Sequence, residues 1–308
     1  MGNQLDLLLK KYQDAVQPAS VERPKTRISL GPLSLNIATG HPAGVKAGRI
    51  IQIAGKYSSG KSTLALDIIA QHQKATGNAV VYVDFERALD EDYAERIGVQ
   101  LDLLHVVRAD TVEQGLSIIE ALIKSGDIRL VVIDSIAAAK PASENDKDYD
   151  DAQKMASSAG AITRFCYRVV PLLDNHDTLL VVLNQLRMNF NTMSPEKEVP
   201  FGAKALGYNT AILIKTQAIK NTEDFTHIQV SIGKNKVAPP RQVCSFVIKY
   251  GEGIDHAQDI ITLALERDIV VKAGSWLSYG GKKVQGLEKA CVEFPIDEIR
   301  QKILETVE

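Results

Sequence analysis

Five short apolar runs set the tightest limit on what this 308-residue chain can fold into. They are residues 50–54, 79–83, 130–133, 179–183 and 211–214, each of strand length and almost unbroken by polar side chains. A strand with one wet face alternates apolar and polar residues. A continuous run is buried on both faces, which is the mark of a parallel sheet covered by helices on each side. The stretches between the runs supply those helices: residues 62–76, 90–97 and 111–125 have helical character and are followed by Gly77, Gly98 and Gly126. Glycine just past a helix end takes the left-handed conformation that closes it. The fold class expected is therefore α/β, with a mostly parallel central sheet between helices.

The flanks read differently. Residues 3–16 form a short amphipathic pattern (Leu5, Leu8, Leu9, Tyr12, Val16), followed by a linker containing Pro18 and Pro24. Such a helix can dock on a second copy of the chain or fold back on its own core, and the pattern leaves both open. Residues 227–232 and 243–249 look like antiparallel edge strands, and beyond Gly253 a small mixed segment ends in an amphipathic helix over 295–307. The expected division is residues 1–32 as N-terminal helix and linker, 33–254 as core, and 255–308 as a small C-terminal α/β domain.

Composition narrows the class without choosing a function. With 45% hydrophobic and 24% charged residues the chain is globular, and long enough to need no disulfide or metal to stay folded. Cys166, Cys244 and Cys291 lack any paired spacing, so they read as small buried hydrophobes. No apolar run reaches membrane-spanning length and the N-terminus has no leader pattern, so a cytoplasmic protein without membrane contact is expected. A net charge of −2 means that any nucleic-acid binding must come from a local basic strip.

The strongest motif is Gly55-Lys56-Tyr57-Ser58-Ser59-Gly60-Lys61-Ser62, which fits G-x-x-x-x-G-K-[ST] and stands between a strand and a helix. In that context the backbone N–H groups wrap a phosphate and Lys61 neutralises the β and γ phosphates. Ser62 offers its hydroxyl to Mg²⁺, with Thr63 beside it. ATP and Mg²⁺ are the cofactors expected. The run ending in Asp134 supplies a second metal-side group. The segment Asp84-Phe85-Glu86 ends a third strand, where alternation is expected to point both carboxylates to one side, with Glu86 the candidate general base.

These motifs, with Asp84-x-Glu86-x-Ala88-Leu89-Asp90, Val132-Ile133-Asp134-Ser135, Asn184-Gln185-Leu186-Arg187-Met188, Lys234-Asn235-Lys236 and a Tyr-Gly-Glu-Gly-Ile run at 250–254, resemble the bacterial RecA recombinases in order and spacing. The resemblance spans roughly residues 28–290. It implies Tyr93 and Asp90 at the adenine, Gln185 as the sensor of the γ-phosphate, and Lys234 and Lys236 reaching the ATP of a neighbouring subunit. It also implies a filament of self-associated copies on single-stranded and double-stranded DNA that performs homologous pairing and strand exchange. The expected DNA-contacting segment, 187–204, carries Arg187, Met188, Phe190, Lys197 and Lys204, cations for phosphates beside apolar groups for bases. The chain departs from the family in an acidic stretch at 143–151, in Phe201 where the family has glycine, and in Gly207 where it has an interface aromatic. The acidic stretch and the short C-terminal domain keep open a RecA-like motor or mediator without strand exchange; a third reading, a nucleotide-gated binding protein that hardly hydrolyses, has Glu86 against it.

Overall fold

A computed structural model describes residues 4–11, 25–142, 154–189, 197–202 and 204–307. The chain opens with α1 (Gln4–Lys11), β1 (Arg27–Ile28), α2 (Leu33–Thr39) and β2 (Val45–Lys46). The βα core follows: β3 (Arg49–Gly55), α3 (Lys61–Thr76), β4 (Val80–Asp84), α4 (Glu91–Ile97), β5 (Leu104–Val107), α5 (Val112–Ser125), β6 (Leu130–Asp134), α6 (Lys154–His176) and β7 (Leu179–Met188). Next come β8 (Glu198–Pro200), α7 (Lys204–Asn209), β9 (Thr210–Asn221), β10 (Phe225–Asn235), β11 (Val243–Lys249) and β12 (Gly253–Ile254). The C-terminal part is α8 (His256–Glu266), β13 (Val271–Ala273), β14 (Trp276–Tyr279), β15 (Lys282–Gln285), α9 (Leu287–Glu293) and α10 (Ile296–Glu305).

The large sheet runs β12-β11-β10-β9-β3-β7-β6-β4-β5, parallel from β9 to β5 and antiparallel from β9 to β12. Its strands divide their side chains between two cores, as the continuous apolar runs require. On one face Ile51, Ile53, Val80, Tyr82 and Val132 pack with Leu64, Ile68 and Ile69 of α3. On the other, Ile50, Val81, Val83, Val131 and Ile133 pack with Leu116 and Ile119 of α5 and with Phe165 and Val169 of α6. Each fully buried Leu or Ile contributes about 1.5–3 kcal/mol, so the sheet is held from both sides. The parallel strands deliver their C-terminal ends to one edge, where open α/β sheets bind ligands.

Several elements lie outside the sequence reading. Helix α6 was not anticipated, and it carries Pro171 within its length. Strands β7 and β9 run well beyond their apolar runs, because β8 and β10 pair with the polar extensions. Residues 187–204 were expected to be an irregular loop; instead Arg187 and Met188 lie on β7, paired with Val199 and Glu198 of β8, and Lys204 opens α7. Cross-strand pairing, invisible to a local pattern, imposes that order. Phe190 and the acidic stretch 143–151 fall outside the described residues.

The C-terminal residues have a separate apolar core of Ile261, Leu263, Leu277, Val284, Ile299 and Ile303, joined by Leu33 of α2. A polar contact ties it to the sheet region: His256 Nε2 lies 2.8 Å from Asp67 Oδ1 on α3, while Asp67 Oδ2 is buried with no hydrogen-bond partner. Burial opposes charging His256, but the hydrogen bond and charge of Asp67 outweigh it, with Asp259 and Asp255 adding to the pull, so its pKa is raised. A raised folded-state pKa stabilises fully below the unfolded value and is lost as pH rises through the folded one. His256→Gln is thus expected to cost about 1–3 kcal/mol at pH 6, less than at a fully buried pair because the His256 side chain is 36% exposed. Urea unfolding of both proteins should show the gap narrowing by pH 9; an equal gap at both pH values would refute the ionic account.

Candidate nucleotide site

The sheet's C-terminal edge collects the predicted groups. Strand β3 ends at Gly55, and α3 begins at Lys61 after a turn in which Ser58 has φ 55° and Gly60 has φ 79°. A Cβ on Gly55 would sit 2.2 Å from Ser59 Oγ and 2.4 Å from Thr216 Oγ1, so only glycine lets the loop close this tightly. Ser59 is buried and its Oγ lies 2.9 Å from Thr216 Oγ1, which pins the loop to β9. The first N–H groups of α3 have no partner within the helix and point into this cradle. The loop therefore fits a phosphate group.

Ser62 Oγ donates to Asp134 Oδ2 at 2.9 Å, joining the two residues expected to hold Mg²⁺. Tyr82 OH donates to the same oxygen at 2.6 Å. Burial pushes the Asp134 carboxyl up; the bonds from Tyr82 and Ser62 resist, and the neighbouring Glu86 and Asp84 charges push the same way as burial. Burial and the Asp134 charge raise the Tyr82 phenol too. A carboxylate in such surroundings gains from a divalent cation, so the donor set suits Mg²⁺. Lys61 Nζ donates to Lys56 O at 2.7 Å. Burial draws its pKa down while Asp134 and Glu86 oppose the shift.

Glu86 stands beyond the end of β4, so strand alternation does not set its direction. Its direction comes from Ser135, whose Oγ donates to Glu86 Oε1 at 2.5 Å. Glu86 and Gln185 line one open cleft of about 730 Å³, with Arg87, Asp110 and Lys140. Asp84 is committed elsewhere: its carboxylate accepts from the amides of Ala88 and Leu89 and caps that turn. Asp90 is the N-cap of α4, accepting from Tyr93 N at 2.8 Å, and Tyr93 OH lies 3.0 Å from Thr63 Oγ1, so the two sit beside the start of α3. Tyr57 is 95% exposed at the loop tip. Lys56 turns away to Glu198 of β8 at 2.8 Å.

Sequence reasoning missed Tyr82, Ser135 and Thr216. The signal for Tyr82 was a single phenol within an aliphatic strand; Ser135 stood in a motif that gave it no role of its own, and Thr216 carried no signal.

Lys234 and Lys236 lie at the other edge of the sheet. Lys234 Nζ donates to Gly207 O at 2.8 Å and to Tyr208 O at 3.2 Å, and Lys236 Nζ donates to Tyr208 O at 3.0 Å. Those carbonyls precede β9, whose Thr210 pairs with Ile50 near the start of β3. Gly55 is five residues further along β3, about 17 Å away. Of the expected DNA-contacting residues, Met188, Lys197 and Lys204 are exposed, and the Arg187 guanidinium stacks 4.1 Å from the Phe201 ring centroid. Beneath them Asn184 bridges to Gln52 Oε1 and Phe201 O, and Gln52 bridges to Thr210, a buried polar chain across three strands.

Residues 16–255 match the RecA N-terminal domain. The chain belongs to the RecA family. It is 41% identical over 262 residues to Protein RecA of Methylococcus capsulatus, covering 83% of this chain and 75% of that one. It is 39% identical over 288 residues to Protein RecA of Citrifermentans bemidjiense, covering 90% and 84%. Among solved structures, the RadB recombinase superposes with a TM-score of 0.57 at 20% identity, covering 74% of this chain and 98% of that one, which supports the RecA-like fold. Among the described residues no helix is long and apolar enough to cross a membrane.

Proposed function

We propose that this RecA-family chain is a DNA-dependent ATPase that assembles as a helical filament on single-stranded DNA and catalyses homologous pairing and strand exchange. The observation that carries the reading is the separation of two sets of groups on one sheet. Lys61, Ser62, Asp134, Glu86 and Gln185 gather at the C-terminal edge of the parallel strands. Lys234 and Lys236 are fixed at the opposite edge, on the carbonyls of Gly207 and Tyr208. They cannot meet within one chain, so a complete site needs two copies stacked edge to edge. Such head-to-tail contacts generate open helices when the rotation does not close.

In this reading the loop from Gly55 to Ser62 holds the phosphates and Lys61 neutralises them. Tyr93 and Asp90 lie at the adenine. Mg²⁺ held by Ser62 and Asp134 would offset the phosphate charge. Glu86, held by Ser135, orients and deprotonates the attacking water. Gln185 bonds the γ-phosphate while it exists and passes that state along β7 to Arg187 and Met188 and across to Lys197 and Lys204. The exposed Leu7, Leu8 and Leu9 of α1 would supply a second assembly contact. Residues 255–308 would act as a small accessory domain.

ATP turnover with and without single-stranded DNA across a salt series tests the reading. Stimulation should be strong at low salt and fade steeply, since binding through phosphates releases counterions. Turnover indifferent to DNA at every salt concentration would overturn it.

A further inference from the structure

At the edge of the sheet away from the nucleotide loop, four basic side chains line one cleft of about 270 Å³. They are Arg27 of β1, Lys46 of β2, Arg49 at the first residue of β3, and His41 in the turn after α2. Arg49 and Gly55 stand at the two ends of one strand, about 20 Å apart, so this cleft is separate from the phosphate loop.

Its charges are unbalanced. Arg27 and Lys46 are direct cross-strand partners, and like charges placed opposite each other destabilise a ribbon. Among the described residues no carboxylate lines the cleft, and none of the three cations makes an ion pair. The backbone is shaped around the cleft. A Cβ on Gly44 would sit 2.1 Å from Ile28 O, and one on Gly40 would sit 2.4 Å from Ala238 Cβ, so both turns need glycine at their positive φ of 91° and 115°.

The donors are also oriented. Arg27 Nη1 donates to Gly44 O at 2.8 Å, which fixes one arm of the guanidinium and leaves the rest of its N–H fork. The amide of Ala43 donates to His41 Nδ1 at 3.1 Å, so the neutral ring carries its proton on Nε2. Burial and the charges of Arg27 and Lys46 hold His41 below its usual pKa, which keeps the ring a neutral donor. A single carboxylate or phosphodiester would balance one of three cations; a multiply charged oxyanion balances more and accepts from several donors at once.

We propose that this cleft is a second phosphate site, which takes free inorganic phosphate or a diphosphate. The test is calorimetric titration of the full chain with each anion in the wild type, Lys61→Ala, Lys46→Gln and the Lys46→Gln/Arg49→Gln pair, with the His41 ring followed by NMR. Lys61→Ala weakens phosphate binding at the nucleotide loop, so binding that persists there with a His41 shift belongs to this cleft. We expect one equivalent bound in Lys61→Ala. Lys46→Gln, at an exposed side chain that the fold does not need, should weaken it about tenfold, and the double variant further. Acetate and a thymidine dinucleotide, too short to seat a second copy of the chain, should leave His41 unmoved. Loss of all phosphate binding in Lys61→Ala, or binding that leaves His41 unchanged, would overturn the proposal. So would a His41 shift with the dinucleotide but not with free phosphate, which would assign the cleft to a nucleic-acid backbone.

Discussion

Glu86→Gln is expected to lower ATP turnover by about 10²–10⁴-fold, the usual worth of a positioned general base, while nucleotide affinity stays near that of the wild type. The two effects separate because the two tasks belong to different residues. In the proposed site affinity rests on the loop from Gly55 to Ser62, Lys61 included, none of which is hydrogen-bonded to Glu86. The amide of glutamine keeps the size of the carboxylate and still accepts from Ser135, so the side chain holds its position and loses only basicity. Turnover measured beside the binding of a fluorescent nucleotide checks both halves. Wild-type turnover in the variant would remove Glu86 from the chemistry. Asp84 is a poor substitute, since its oxygens are engaged by the amides of Ala88 and Leu89. A fall in affinity that accounts for the lost turnover would make Glu86 a binding residue and no base.

How much of this could be read from the sequence depends on how local each feature is. The phosphate loop was legible because its chemistry lies in eight consecutive residues flanked by a strand and a helix. Asp134 was legible because an apolar run must stop where a carboxylate meets the sheet edge. The two-sided burial of β4 followed from the same kind of pattern, and Val80 and Tyr82 do face one core while Val81 and Val83 face the other. What was not legible depends on partners distant in the chain. Nothing near Arg187 announces that β8 will pair with it, nor does anything near Gln52 announce Asn184 and Thr210 on the strands at either side. Ser135 looked like part of a motif until its hydroxyl was seen on Glu86. The alternation argument for Glu86 failed for a physical reason: β4 ends at Asp84, whose carboxylate is needed to cap the following turn, so Glu86 is aimed by that turn and by Ser135.

Lys234→Ala/Lys236→Ala is expected to lower DNA-stimulated turnover by about 10³-fold or more, as loss of a cation supplied in trans does in other phosphoryl-transfer sites. Loss alone would be ambiguous, because both ammoniums also hold the carbonyls of Gly207 and Tyr208, and releasing these could loosen α7. Mixing removes the ambiguity. A Glu86→Gln copy keeps its lysines, and a Lys234→Ala/Lys236→Ala copy keeps its base. If the site is shared between copies, a junction in which the second copy supplies Glu86 and the first supplies the lysines is whole again. In an equal mixture about a quarter of head-to-tail junctions meet that condition, so turnover should recover to about a quarter of the wild-type value from two proteins that are each nearly inactive. A purely structural role for the lysines predicts no recovery at any mixing ratio, since a loosened α7 stays loosened in its own chain. Recovery that tracks the product of the two fractions, and vanishes when one copy lacks both Glu86 and the lysines, is a pattern that only a site split across two copies produces.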